Sequence, residues 1–131
     1  MKTAMVFVVL AASITLLSGC SPSVEAVQDF KEGEIRTSNV GEAMITWGFN
    51  ETNFLAGGKH YYQEHRSELV FNGTDGATIF IGYREFTSDL AGAGVSDELK
   101  YPLHTKTITC KERELEVLEV NGSSIKFKVL K

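Results

Sequence analysis

The seven residues from Ser124 to Leu130 read S-I-K-F-K-V-L, with Ile125, Phe127 and Val129 alternating with two lysines. Residues two apart share one side of an extended chain, so this run hides its apolar positions only as a half-buried β-strand. Glu114 to Val120, E-L-E-V-L-E-V, precedes it, and Asn121-Gly122-Ser123 between the two is turn chemistry. Together they predict a hairpin. A second hairpin is expected where Ser67 to Phe71 and Ala77 to Phe86 flank Asn72-Gly73-Thr74-Asp75-Gly76. Val24 to Phe30, Glu42 to Phe49 and Glu98 to Leu103 read as further strands, and Thr107 to Cys110 alternates in the same way. About seven or eight short strands at regular spacing predict an all-β domain, a small antiparallel barrel or sandwich. The one segment where a helix is expected is Lys59 to Arg66.

The chain's start follows a different logic. Lys2 supplies a positive charge, and Ala4 to Leu17 is apolar except for Ser13 and Thr15. That is the pattern of a secretory signal peptide, too short for the roughly 20 apolar residues of a comfortable membrane span. At its end, Leu17-Ser18-Gly19-Cys20 stands where a small-residue cleavage site is usual. This stretch resembles, at all four positions, the lipobox of bacterial lipoproteins. The resemblance implies that the Cys20 thiol takes a diacylglyceryl thioether, that the chain is cut before it, and that Cys20 becomes the lipidated N-terminus. Ser18 and Gly19 are small enough to admit the peptidase. One acyl chain holds a protein only marginally, at about 0.8 kcal/mol per buried methylene, whereas two or more anchor it stably. In Gram-negative lipoproteins an Asp after the cysteine favours inner-membrane retention, so Ser21 implies the outer membrane, facing the periplasm. The expected organisation is a signal peptide over residues 1–19, a lipidated N-terminus and short tether over 20–23, and one β-rich domain over 24–131.

The C-terminal half carries a second resemblance. "SELVFNGTDGATIFIGYREF", then "LKYPL", then "LEVLEVNGSSIKFKVL" is similar to the strand-and-turn pattern of a family of small bacterial envelope lipoproteins, over roughly Glu42 to Lys131. Cys110 departs from that pattern, where an apolar residue or glycine is expected. The family implies a fold and brings no established activity.

Composition narrows the rest. The 131-residue chain has thirteen Lys and Arg against seventeen Asp and Glu. Loss of Lys2 with the signal peptide takes its net charge of −4 to −5. The charges are interspersed, so no basic patch suggests nucleic acid, and Lys126, Lys128 and Lys131 read as the wet face of a strand. With Cys20 committed to lipid, Cys110 has no partner for a disulfide, and it reads as a small buried apolar residue.

No catalytic signature is visible. His60 and His65 stand five apart in "GGKHYYQEHR". That spacing is off one helical face and opposite-sided on a strand, so no metal clamp is expected from them. His104 stands far along the chain. No Gly-x-Ser-x-Gly elbow occurs, "GGKH" lacks the form of a phosphate loop, and "AGAG" is no dinucleotide fingerprint. Trp47, Phe49, Tyr61 and Tyr83 alternate with their neighbours and are expected to fill the core rather than stack a ligand. The sequons at Asn50, Asn72 and Asn121 are read as turn chemistry. The segment from Thr87 to Asp97, "TSDLAGAGVSD", is longer than most strand connections. It is the candidate recognition loop, with Leu90 and Val95 as its apolar contacts. The sequence therefore points to a non-enzymatic, lipid-anchored envelope module without cofactor. Its partner would be another envelope protein, peptidoglycan or a small ligand. The alternative is a small envelope hydrolase whose site is assembled only in space.

Overall fold

The computed structural model describes residues 23–55, 57–88 and 94–131; the expected signal peptide and Cys20 lie outside them. The described chain forms β1 (Ser23–Gln28), β2 (Ile35–Asn39), β3 (Ala43–Leu55), β4 (Lys59–Thr74), β5 (Thr78–Thr87), β6 (Val95–Pro102), β7 (Thr107–Cys110), β8 (Arg113–Val120) and β9 (Ser124–Val129). They make two antiparallel sheets, one of five strands in the order β1-β3-β4-β5-β6 and one of four in the order β2-β9-β8-β7. The architecture is all-β and sandwich-like, and neither sheet closes into a barrel.

The alternating runs bury the residues their parity selects. Ile125, Phe127 and Val129 of β9 are fully buried, as is Leu115 of β8. Ile45, Leu69, Phe71, Ile79, Ile81 and Tyr83 meet them from the five-stranded sheet, and Phe30, Met44, Ile108 and Cys110 belong to the same core. The Asn121 turn forms as expected: its side-chain carbonyl accepts from the backbone N–H groups of Ser123 and Ser124, both at 2.9 Å. That is an Asx turn, in which a side chain replaces a backbone acceptor.

Several expectations need correction. Lys59 to Arg66 is strand, not helix: it continues β4 outward and pairs residue by residue with β3, from Gly48↔Arg66 to Leu55↔Lys59. A partner strand satisfies the backbone there, so local helical preference has nothing to add. β4 also runs through Asn72 to Thr74, and the second hairpin turns later, at Asp75 to Ala77. The Asp75 carboxylate accepts from Ala77 N and Thr78 N at 2.9 and 2.7 Å. Asn72 sits at a shift of register between Phe71 and Gly73. Asn50 lies inside β3. Of the three sequon asparagines, only Asn121 occupies a turn. β2 was not expected, and β1 starts at Ser23, one residue into the anticipated tether.

The chain passes from one sheet to the other between β1 and β2. Asp29 fastens that crossing, accepting from Thr46 N at 2.8 Å and from the Arg36 guanidinium at 3.3 Å. One carboxylate thus ties the end of β1 to β3 and to β2.

Candidate functional site

The two sheets differ in reach. β3 and β4 span thirteen and sixteen residues, whereas the strands of the smaller sheet span four to eight. The smaller sheet therefore covers only part of the larger one's inner face. Trp47 and Tyr83 stand at the limit of cover, with ring centroids 6.2 Å apart. Tyr83 is buried and Trp47 packs on the core from its edge. Two residues farther along β3, on the same face, Phe49 is 39% exposed. Beyond the limit lies an open shelf made by Phe49, His65, Ser67, Glu85 and Thr87.

Its geometry follows from register. Phe49 pairs with His65, and Ser67 with Glu85. The Phe49 and His65 rings are stacked, 4.3 Å between centroids and 20° from parallel. Directly opposite residues on one face are the closest side-chain neighbours in an antiparallel sheet. Gly48 makes the approach closer still, because a Cβ there would stand 1.9 Å from the carbonyl oxygen of His65. Only glycine permits that backbone contact.

The polar groups of the shelf are engaged with one another. The Tyr83 hydroxyl donates to Glu85 and lies 3.4 Å from the Ser67 hydroxyl. Burial, reinforced by that bond to a carboxylate, pushes the Tyr83 phenol up to about 12, so it stays a neutral donor across ordinary pH.

Cations stand at the covered edge. The Lys111 ammonium is 5.2 Å from the centre of the Tyr83 ring, and the Arg113 guanidinium is 5.2 Å from Phe30 and 5.5 Å from Trp47. Arg113 Nε is buried without a hydrogen-bond partner, so aromatic faces are its surroundings. Lys111 occupies a two-residue turn at φ +55°, a left-handed conformation that costs a side chain about 1–2 kcal/mol.

The candidates named from sequence are distributed as follows. Cys20 and Leu90 lie outside the described residues. Val95 is not in a loop: it opens β6, pairs with Glu85, and is 41% exposed at the shelf's side. The connection from β5 to β6 is thus shorter than expected, residues 88–94. It leaves the sheet where Ser88 N donates to Glu64 O and returns where Gly94 N donates to Glu85 O. His60 and His65 fall at opposite parities of one strand, and His104 is exposed beyond β6. Among the described residues no group of three or more His, Cys, Asp or Glu is placed to hold a metal ion. Cys110 is buried as expected, and burial pushes its thiol upward despite neighbouring Lys111. Core packing holds for Trp47 and Tyr83 and fails for Phe49; the Tyr61 side chain is not described.

Sequence reasoning missed Ser67, Glu85 and Lys111, and read His65 only as a failed metal ligand. Extending the hairpin register outward from Ile45↔Leu69 would have placed His65 beside Phe49. No local motif marks the others, because they converge from separate strands. No family model, no curated protein and no solved structure matches the chain.

Proposed function

We propose that this chain is a lipid-anchored bacterial envelope module, held through Cys20, that recognises another envelope component on the open shelf of its larger sheet. One observation carries the reading. Part of the inner face of the larger sheet is left without a second layer, and on it a partly exposed Phe49 is stacked on His65. Aromatic surface beside fixed polar groups and a cationic rim is the makeup of a recognition patch. Lys111 supports the same reading. A non-glycine residue held at positive φ retains strain, and such strain concentrates at binding sites.

A hydrolase is the second reading, because His65, Ser67 and Glu85 line one hollow of the shelf. The hydrogen bonding speaks against it. Ser67 engages Tyr83, and Glu85 takes the Tyr83 hydroxyl, so no base is set on a nucleophile.

Crosslinking in the native envelope followed by mass spectrometry tests the proposal. The wild type is expected to capture a defined partner. Phe49→Ala is expected to lose it while remaining folded. Lys111→Gly is expected to weaken capture without loss of stability, since relief of about 1–2 kcal/mol of strain offsets glycine's conformational penalty of about 0.5–1 kcal/mol. Undiminished capture by both variants would remove the shelf from consideration.

A further inference from the structure

The geometry points to a second contact with the membrane besides the lipid: the far end of the β3–β4 hairpin rests in the headgroup layer of the bilayer to which Cys20 is anchored. This rests on the lipid-anchor reading and adds an orientation to it.

β1 is antiparallel to β3, and Ser23, its first residue, pairs with Thr52, whose partner on the other side is Tyr62. The hairpin continues three pairs beyond that level, through Asn53↔Tyr61 and Phe54↔His60 to Leu55↔Lys59. Three antiparallel pairs advance about 10 Å. Cys20 lies three residues before Ser23, and three residues reach at most about 10 Å. The lipidated residue is therefore confined to within about 10 Å of Ser23. A bilayer holding its acyl chains must lie close to that end of the molecule. The opposite end, with the Asp75 and Asn121 turns, is far out of reach of so short a tether.

Composition at that end agrees. From Thr52 to Gln63 the chain reads T-N-F-L-A-G-G-K-H-Y-Y-Q, with no Asp or Glu in a protein that has seventeen. Two tyrosines, a phenylalanine and a leucine accompany one lysine and one histidine. Aromatic rings with a polar edge and lysines that reach for phosphate are the residues of a membrane–water interface. Acidic residues resume immediately behind, with Glu51, Glu64 and Glu25 gathered around Asn50. A carboxylate at the surface of an anionic leaflet would be repelled, and the break in composition falls at the Thr52–Tyr62 level. Tyr62 is 54% exposed at that level, and Val24 of β1, one pair behind it opposite Glu51, is 61% exposed. No helix among the described residues is long and apolar enough to cross a membrane, and none is needed for a hairpin end lying in the interface.

The wild type supplies its own control. Its one tryptophan, Trp47, stands five pairs behind Thr52, about 17 Å farther from the membrane. The native lipidated full-length protein, its Tyr62→Trp variant and a Val24→Trp variant are reconstituted into vesicles of phosphatidylethanolamine and phosphatidylglycerol brominated near the headgroup end of the acyl chains. Flotation and incorporation of a palmitate analogue are read on the same samples. The expected result is unquenched wild-type emission and a roughly twofold loss of the added emission in Tyr62→Trp, with Val24→Trp quenched as well. Flotation and label without quenching in both variants would overturn the hairpin contact and leave the anchor intact. A wild type that neither floats nor takes label would overturn the anchor, and the orientation with it.

Discussion

Asp75 illustrates how much local order one side chain supplies. Its carboxylate accepts two backbone N–H groups across the β4–β5 turn. Those bonds, from Ala77 first and Thr78 next, hold its pKa below the ordinary 3.8. A carboxyl lowered by folding stabilises the native state above its unfolded pKa, and that contribution fades as pH falls through the folded value. Asp75→Ala is accordingly expected to melt below the wild type at neutral pH, and the gap is expected to close on acidification from pH 3.8 downward. Melting curves over that range check it, and a gap that persists at the acid end would mean that the turn does not depend on the ionised carboxylate. Glu42 acts similarly toward Asn39, accepting its backbone and side-chain N–H groups at 2.9 and 3.2 Å. Both are exposed side chains whose effect is exerted on backbone geometry.

Among the elements, β9 holds the two layers together. It lies between β2 and β8 and contributes three fully buried side chains. Phe127→Ala is expected to cost about 3–5 kcal/mol, lowering the melting temperature by at least about 10 °C in a domain of this size. A thermal unfolding curve left unchanged would refute the assigned register. This strand and its hairpin partner were legible in the sequence because one face is buried and the other wet, so alternation survives in the residues. β2 was not. I-R-T-S-N shows no apolar alternation, and its place is set by pairing with β9 and by burial of Ser38, whose hydroxyl lies 3.4 Å from the Ala43 carbonyl oxygen. The outer half of the β3–β4 hairpin escaped for a related reason. None of its described side chains from residue 49 to 65 is buried, so no buried face imposes a period on the sequence. The shelf is that same uncovered surface, which is why the fold was easier to read than the site. Pro102 marks the end of β6 at an open edge, where a missing backbone donor costs nothing.

At the scale of the whole molecule, the reading predicts an address that one substitution abolishes. Cys20→Ala is expected to lose both incorporation of a palmitate analogue and sedimentation with membranes, since Cys20 is the only thiol at the proposed cleavage site. Retained label in that variant would refute the anchor. The position of β1 has a mechanical consequence. Its ladder bonds to β3 lie across the strand axis. A pull entering at Ser23 and directed outward along that axis loads all of them together, in shear, instead of peeling them apart one by one. The Asp29 clasp at the strand's inner end takes up the same load through its bonds to Thr46 and Arg36. A domain tethered by its first strand in this manner resists being drawn off its mooring far better than one tethered through the last strand of a frayed edge, and tension on a captured partner would reach the sandwich core only after that seam had slipped as a unit.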